Sequence, residues 1–441
     1  MARLTRINWR QKVIRTERAK VETVLSGLRN IPSSFARFWR SGEIEEDEKP
    51  EKTYTLTFLK DIERNGYTLN KRIYTVNFNE IRVEDFFEDL TFNALSGNPF
   101  TSKDDKWTLE DFDSDPIARG ALDTHVGANA TLEYYFEMFG RNSIDNQGMA
   151  ILNGIAPIIT NNGEAEDGHN AFYAGAIEFQ GERYALTTYL DGVTRRVDSP
   201  FEDVGLVANI DVIGHEITHG VTNFTAGLIY QGESGAINES ISDIFGTAIK
   251  ARLQGKDEQG VPLWGWNMGE DWWPIRNMAQ PELSIRPAPD TYQGEHWISD
   301  PLIDKGGVHT NSSVMNFWFV LCAEGSGNQG PGRLHPELRI GEYANYTNDN
   351  GYQYSVKAVG FRKIQGVVYR ALAEYLEDNS TFLDARQATI QSARDLRSKD
   401  ISDLYPGVPK LQRSDIESIR DAWDAVGVGG GLEPSDASLG L

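Results

Sequence analysis

The stretch DVIGHEITHG, residues 211–220, sets two histidines four residues apart with a glutamate beside the first. At the 3.6-residue period of a helix, His215 and His219 share one face a turn apart. Both imidazoles can then reach a single ion ~2 Å away, with Glu216 at its edge. The same five-residue pattern also arises by chance as a polar patch on an ordinary helix, so its meaning depends on the residues around it.

A hydrolytic metal site needs a third protein ligand and one position left for water. SGAINESISDIFG, residues 234–246, supplies a candidate. Glu239 follows His219 by twenty residues, enough for one helix to end, turn through TAGLIYQGES (225–234) and start another. On that second helix Glu239 and Asp243 stand four apart, so Glu239 can bind the ion while Asp243 reaches the N–H of a liganding imidazole from behind. The alternative third ligand, a histidine six residues beyond His219, is missing because Thr225 is there, which excludes the metzincin pattern.

The composition fits a soluble globular protein of two or three domains: 441 residues, 39% hydrophobic and 24% charged. A net charge of −22 argues against nucleic acid as a partner, since phosphate contacts need clustered Lys and Arg. The one cysteine, Cys322 in NFWFVLCAEG (316–325), rules out an intrachain disulfide and a thiolate zinc site, and its apolar setting predicts a buried, inert thiol. No apolar run reaches the ~18 residues of a membrane span. The first twenty residues have basic side chains throughout and no apolar core, so no conventional secretory signal is read there. The expected location is the cytoplasm, or outside by a non-Sec route.

Four segments are expected along the chain. Residues 1–52 combine a basic segment with the acidic linker EIEEDEKPEK (43–52). Residues 53–210 form a β-rich lobe, with alternating runs at YTLTFL (54–59), KRIYTVNF (71–78) and NAFYAGAIEFQGERYALTTYL (170–190), the last turning at Gly181-Glu182, and one helix over 115–140. Residues 211–427 form a helical lobe, with helices at 211–224, 233–254, 309–323, 358–377, 382–396 and 413–426. Residues 428–441 are a glycine-rich, disordered tail. In the basic segment, ten Lys and Arg oppose two Glu over residues 1–40, while Leu4, Ile7, Ile14, Val21, Val24, Leu25 and Leu28 recur at three, four and seven. An amphipathic helix is expected that docks on the acidic body of the same chain, with an export address or an exposed tail as alternatives.

HEITHGVTNFTAGLIYQGESGAINESISDIFG (215–246), DKGGVHTNSS (304–313), HNAFY (169–173), GVVYRALAEYL (366–376) and ARQATIQSARDL (385–396) together resemble the thermolysin-like zinc peptidases, the gluzincins or neutral proteases. The resemblance runs from about residue 54 to 427. It implies an α+β fold of two lobes, β-rich and mainly helical, with the zinc cleft between them. It also implies a zinc-dependent metalloendopeptidase acting on peptide or protein substrates. His215, His219 and Glu239 would hold Zn²⁺, which lowers the pKa of a water from 15.7 toward ~7. Glu216 would take the water's proton and pass it to the leaving amine. Tyr230 and His309 would donate to the oxyanion, with Asp304 orienting His309.

The resemblance further assigns Arg276 to a substrate carbonyl on the primed side, and Asn170 and Ala171 to the extended peptide backbone. Leu206, Val212, Met268 and Ile275 match positions lining the pocket for the residue after the cleaved bond, and their apolar character implies cleavage on the N-terminal side of large apolar residues. Three departures stand out. Tyr173 replaces the usual Trp at the end of the substrate-edge motif. Lys250 and Asn267 stand at two carboxylate positions of the family's paired calcium site, of which Asp211 and Glu270 remain, so bound Ca²⁺ is doubtful. Residues 324–355 are longer than the family usually has there. Two other classes compete: a scaffold that holds peptides without cutting them, and a structural zinc protein. The complete set of base, ligands and oxyanion donors disfavours the first, and three protein ligands where structural zinc takes four disfavour the second.

Overall fold

Alternation in the first half and helical periodicity in the second produce an α+β chain with its sheet N-terminal and its helices C-terminal. The computed structural model describes residues 54–55, 57–64, 66–78, 98–99, 101–102, 116–155, 159–161, 164–166, 170–179, 182–190, 209–255, 265–270, 273–326, 347–398 and 404–429. The basic segment and acidic linker, Leu206, Gly181, His169, His335, residues 327–346 and the tail from 430 lie outside the described residues. The chain divides into two compact units. The first takes residues up to Phe136, Arg141–Gly220 and Arg252–Gln254; the second takes Glu137–Gly140, Val221–Ala251 and everything from Gly255 onward.

In the first unit, β2 (Thr57–Arg64), β3 (Tyr67–Asn77), β6 (Ala150–Ile155), β10 (Glu182–Leu190) and β9 (Asn170–Phe179) lie side by side in that order, with β4 (Asn98–Pro99) also paired to β3. The inner pairs β3–β6 and β6–β10 are parallel and the outer ones antiparallel. Two short pairings complete its described strands: β1 (Tyr54–Thr55) with β5 (Thr101–Ser102), and β7 (Ile159–Asn161) with β8 (Glu164–Glu166). Every residue of β6 is buried, as a strand flanked and covered on both faces requires. One face carries the apolar cluster Val76, Phe78, Ala150, Leu152, Ile177, Tyr184 and Leu186.

The opposite face carries a polar row, because Thr75, Asn153 and Thr187 fall in register across three strands. Thr187 Oγ1 donates to Asn153 Oδ1 (2.7 Å) and Asn153 Nδ2 donates to Thr75 Oγ1 (3.1 Å). Thr75 Oγ1 lies 2.9 Å from His125 Nδ1 on α1 (Pro116–Phe139). His125 is thus a core histidine, 1% exposed. Burial, with the Lys71 charge adding to it, pushes its pKa down to about 3. Unfolded, it takes a proton near pH 6.5; folded, only near 3. Its contribution to stability is therefore complete above pH 6.5 and is lost as pH falls toward 3, at ~1.4 kcal/mol per pH unit. His125→Gln should remove that slope from urea midpoints measured over this range. Parallel profiles for wild type and variant would refute the assignment.

α2 (Ile210–Asn223) begins in this same unit. Ile213 fills the space beside Gly127 of α1, where a Cβ would come within 2.7 Å of it, and Tyr135 Oη sits 2.9 Å from Thr218 Oγ1. These contacts explain why the division falls after Gly220 and not before Asp211, as the sequence suggested.

The second unit is built around α3 (Gly232–Gln254), in which every residue from Ser234 to Lys250 is buried. Beside it are the hairpin β11 (Asn267–Glu270) and β12 (Trp273–Asn277), then α4 (Asp304–Asn311), α5 (Ser313–Glu324), α6 (Phe361–Glu374), α7 (Phe382–Arg397) and α8 (Arg413–Ala425). The helix expected over 309–323 starts earlier, at Asp304, through a left-handed turn at residues 304–307, and divides into α4 and α5 at Ser312, which itself keeps right-handed helical angles (φ −54°, ψ −28°). Cys322 is fully buried and burial raises its thiol pKa, which matches an inert side chain. Trp318 stacks on Trp423 with centroids 4.5 Å apart.

Lys250, 6% exposed, donates from Nζ to the carbonyls of Gly269 (3.1 Å) and Asn267 (3.3 Å), tying α3 to β11. Val428, expected to open a disordered tail, is instead packed into the fold. Val428 is 2% exposed, and its carbonyl accepts from the buried Arg386 Nη1 at 3.0 Å, a guanidinium that needs acceptors inside the fold. Among the described residues no helix is long and apolar enough to cross a membrane.

Candidate active site

On α2 the four-residue spacing puts His215 and His219 on one face, with Nε2 atoms 3.0 Å apart. Two metal–nitrogen bonds of ~2.0–2.1 Å at a tetrahedral angle span ~3.3 Å, so the pair suits a single small cation. Glu216, on the next position round the helix, is 6% exposed and His215 is 5% exposed. Gly220 ends the motif as glycine because a Cβ would meet Ile144 at 3.0 Å and Tyr173 at 3.2 Å. Val212, 7% exposed, is in the first turn of the same helix. Tyr189 of β10 was not singled out from sequence. Burial raises its phenol pKa, and the charge of Glu216 adds to the rise.

Asn170 and Ala171 open β9, the edge strand of the sheet, which pairs with β10 on one side. Asn170 Oδ1 accepts from Ala171 N–H at 3.0 Å, and Asn170 is exposed. An edge strand offers main-chain donors and acceptors to another extended chain.

In the second unit, Glu239 is 1% exposed in the first half of α3. The Tyr230 hydroxyl donates to its Oε1 in a short hydrogen bond, and Arg276 Nη2 lies 3.5 Å from its Oε2. Tyr230 Oη is also 3.0 Å from His309 Nε2. Since the one hydroxyl proton goes to Glu239, Nε2–H donates to the Tyr230 oxygen. Asp304 Oδ1 accepts from His309 Nδ1 at 2.6 Å, and Asp304 Oδ2 accepts from the His309 backbone N–H at 2.9 Å. An imidazole donating from both nitrogens is the charged form. Partial burial works against that charge, but the carboxylates of Glu239 and Asp304 outweigh it and hold the His309 pKa above its ordinary value.

Asp243 is fully buried one turn beyond Glu239. Arg276 of β12 forks onto it, Nε to Oδ2 and Nη2 to Oδ1, both 2.6 Å. Asn316 Nδ2 adds a third bond to Oδ2 at 2.8 Å, and Ser240 Oγ donates to Asn316 Oδ1 at 2.8 Å. Burial opposes the Arg276 charge, but Asp243 and Glu239 more than restore it. The structure therefore brings Tyr230, Glu239, Asp304, His309, Asp243 and Arg276 into one hydrogen-bonded group, and adds two members that sequence reading passed over. Asn316 had left a trace, as the lone amide in the apolar run SVMNFWFVL; Ser240 had left none.

Met268, 1% exposed on β11, accepts from Thr247 Oγ1 through sulfur at 3.4 Å, and Ile275 packs half-buried beside Gly269. Leu206, assigned to the same pocket, lies outside the described residues, and so does the side chain of Glu270.

Compared with known proteins, the chain matches the thermolysin metallopeptidase catalytic domain over residues 45–223 and the α-helical domain of the same family over 226–428. It is 31% identical over 342 residues to the thermostable neutral protease NprT of Geobacillus stearothermophilus, covering 76% of this chain and 49% of that protein. A thermolysin from Alicyclobacillus acidocaldarius is 31% identical over 315 residues, covering 70% and 45%. The chain thus spans about half the length of these relatives. Among solved structures, the precursor of protealysin from Serratia proteamaculans covers 81% of this chain and 86% of its own at 21% identity and a TM-score of 0.48.

Proposed function

This chain belongs to the thermolysin family of metallopeptidases, and from that premise we propose that it is a zinc-dependent metalloendopeptidase cleaving on the N-terminal side of large apolar residues. The observation that carries the reading is the imidazole pair of α2, 3.0 Å apart with Glu216 beside it. The donor set also fits zinc: two imidazole nitrogens from His215 and His219 and a carboxylate oxygen from Glu239, leaving one position open where a structural site would be closed. When bound, zinc supplies the Lewis acidity that lets water lose a proton near neutral pH.

Every other step belongs to side chains. Glu216 takes the proton of the attacking water and delivers it to the leaving amine. The tetrahedral oxyanion on the substrate accepts from Tyr230 and from protonated His309, whose Nδ1–H is held by Asp304. Asn170 and Ala171, at the head of the edge strand, align the substrate backbone, and Arg276 offers the rest of its fork to a substrate carbonyl while Asp243 fixes its plane. Leu206, Val212, Met268 and Ile275 receive the side chain after the cleaved bond. One added apolar group there is worth ~1–3 kcal/mol, a preference of roughly 10- to 200-fold.

Two finer points belong to the same reading. Lys250 already puts a cation against the β11 carbonyls, so calcium contributes little to stability. The basic residues 1–40 dock on the acidic body as a short pro-region or act as an address for a non-Sec route, and the protein otherwise stays in the cytoplasm. One experiment addresses all of these: cleavage-site mapping by mass spectrometry on a peptide library. It is run on the full chain and on residues 43–441, each with and without zinc chelator, with melting followed with and without calcium. Zinc-dependent cuts before Leu, Ile, Phe or Val are expected, with little calcium response and higher activity on removing residues 1–42. Cleavage indifferent to zinc or to the following residue would overturn the reading. A large calcium response would overturn the point about Lys250, and equal activity of the two chains would overturn the pro-region.

A further inference from the structure

We propose that Lys305 is a positioning residue for Tyr230, its ammonium seated on the phenol ring so that the hydroxyl is held and polarised for donation to the oxyanion. The proposal rests on the role given to Tyr230 above. Lys305 Nζ lies 4.8 Å from the centroid of the Tyr230 ring. The ring is bracketed on two sides, since His309 meets it at 6.0 Å with the planes at 77°. A cation on the π face is attracted by the ring's quadrupole. It also draws electron density away from the hydroxyl, which makes the O–H a stronger donor.

The backbone holds Lys305 where this contact needs it. Asp304, Lys305, Gly306 and Gly307 have φ of 50°, 48°, 86° and 80°, four consecutive residues in the left-handed region. Glycine enters that region freely, but Asp304 and Lys305 carry a Cβ and do not. Asp304 has an evident reason to be there, since its carboxylate turns back onto His309. Lys305 makes no such return contact, and its side chain goes to Tyr230 instead.

The turn is also packed against the segment that carries Tyr230. A Cβ on Gly306 would come within 3.2 Å of Gly232 Cα, and one on Gly235 within 2.4 Å of Val308 and 3.0 Å of the Tyr230 carbonyl carbon. Neither backbone can slide past the other, so the fold fixes where the Lys305 backbone stands relative to the Tyr230 segment. The Lys305 side chain is exposed and could point its ammonium into water at no loss of hydration.

The test combines kinetics with a measurement that needs no activity. Lys305→Met keeps the stem and removes the charge. It should lower kcat by about two- to fivefold, the size of an exposed cation–π contact, with KM unchanged. Lys305→Arg, whose guanidinium also stacks on a ring, should stay near wild type. In a Tyr230→Phe background Lys305→Met should cost nothing further, because the hydroxyl through which it acts is gone. A direct action of the Lys305 charge on the substrate would persist there and overturn the proposal.

Independently, lysines reductively methylated with ¹³C-formaldehyde should give one ring-shifted NMR signal, absent in Lys305→Arg and moved to the ordinary position in Tyr230→Leu. Cleavage by the wild type without that shifted signal, or with Lys305→Met equal to wild type, overturns the proposal alone. The shifted signal in a protein that cleaves nothing overturns the peptidase reading and takes the proposal with it.

Discussion

Glu216→Gln is expected to lower peptide hydrolysis by roughly 10²- to 10⁴-fold while the protein keeps its zinc and its fold. The amide has nearly the shape of the carboxylate but cannot accept the proton of the attacking water. Glu216 shares α2 with both histidines but is not in the proposed ligand set, so removing its charge leaves the metal donors in place. His219→Ala should lose activity for a different reason, because the ion goes with the ligand. Metal analysis of the purified variants beside their turnover separates the two. Near-native turnover in Glu216→Gln would end its assignment as the base.

The second large effect falls on stability. Arg276→Met should cost about 3–5 kcal/mol, because it leaves the fully buried Asp243 without the cation that neutralises it. Asn316 would remain as a donor to Oδ2, but a neutral amide cannot replace the charge. Asp243→Asn in the Arg276→Met background removes the stranded charge and should recover much of the loss in a urea melt. If the single and double variants unfold at the same denaturant concentration, the pair is not the source of the stability. If Arg276→Met melts like wild type, the ion pair contributes nothing.

What could be read from the sequence follows the range of the physical signal. His215, Glu216 and His219 declare themselves because helical periodicity is local: residues four apart meet whatever else the chain does. The strands β3, β9 and β10 were legible through alternation, and α3 through its continuous apolar and small-residue run with Glu239 and Asp243 one turn apart. The break at Ser312 was not legible. Nor was the left-handed turn that opens α4, because it uses two non-glycine residues, Asp304 and Lys305, whose local preference is against it. The packing of Val428 was not legible because the residue that anchors it is Arg386, forty-two positions away.

The sequence by itself therefore determined the α+β order of elements and which residues present imidazole and carboxylate groups at helical spacing. The tertiary structure alone decided where those groups point their remaining hydrogen bonds. Asp243 was read as a support for a liganding histidine. The fold also makes it the anchor of Arg276, thirty-three residues away, and of Asn316, seventy-three residues away. It ends the first unit after Gly220 because Ile213 and Thr218 are claimed by α1. The Lys305 ammonium reaches the Tyr230 ring where glycines at 235 and 306 let two backbones close to contact. Periodicity is set by covalent neighbours and survives in the one-dimensional pattern. The pairing of a buried charge is set by which helices and strands pack together, and that depends on burying the whole core at once.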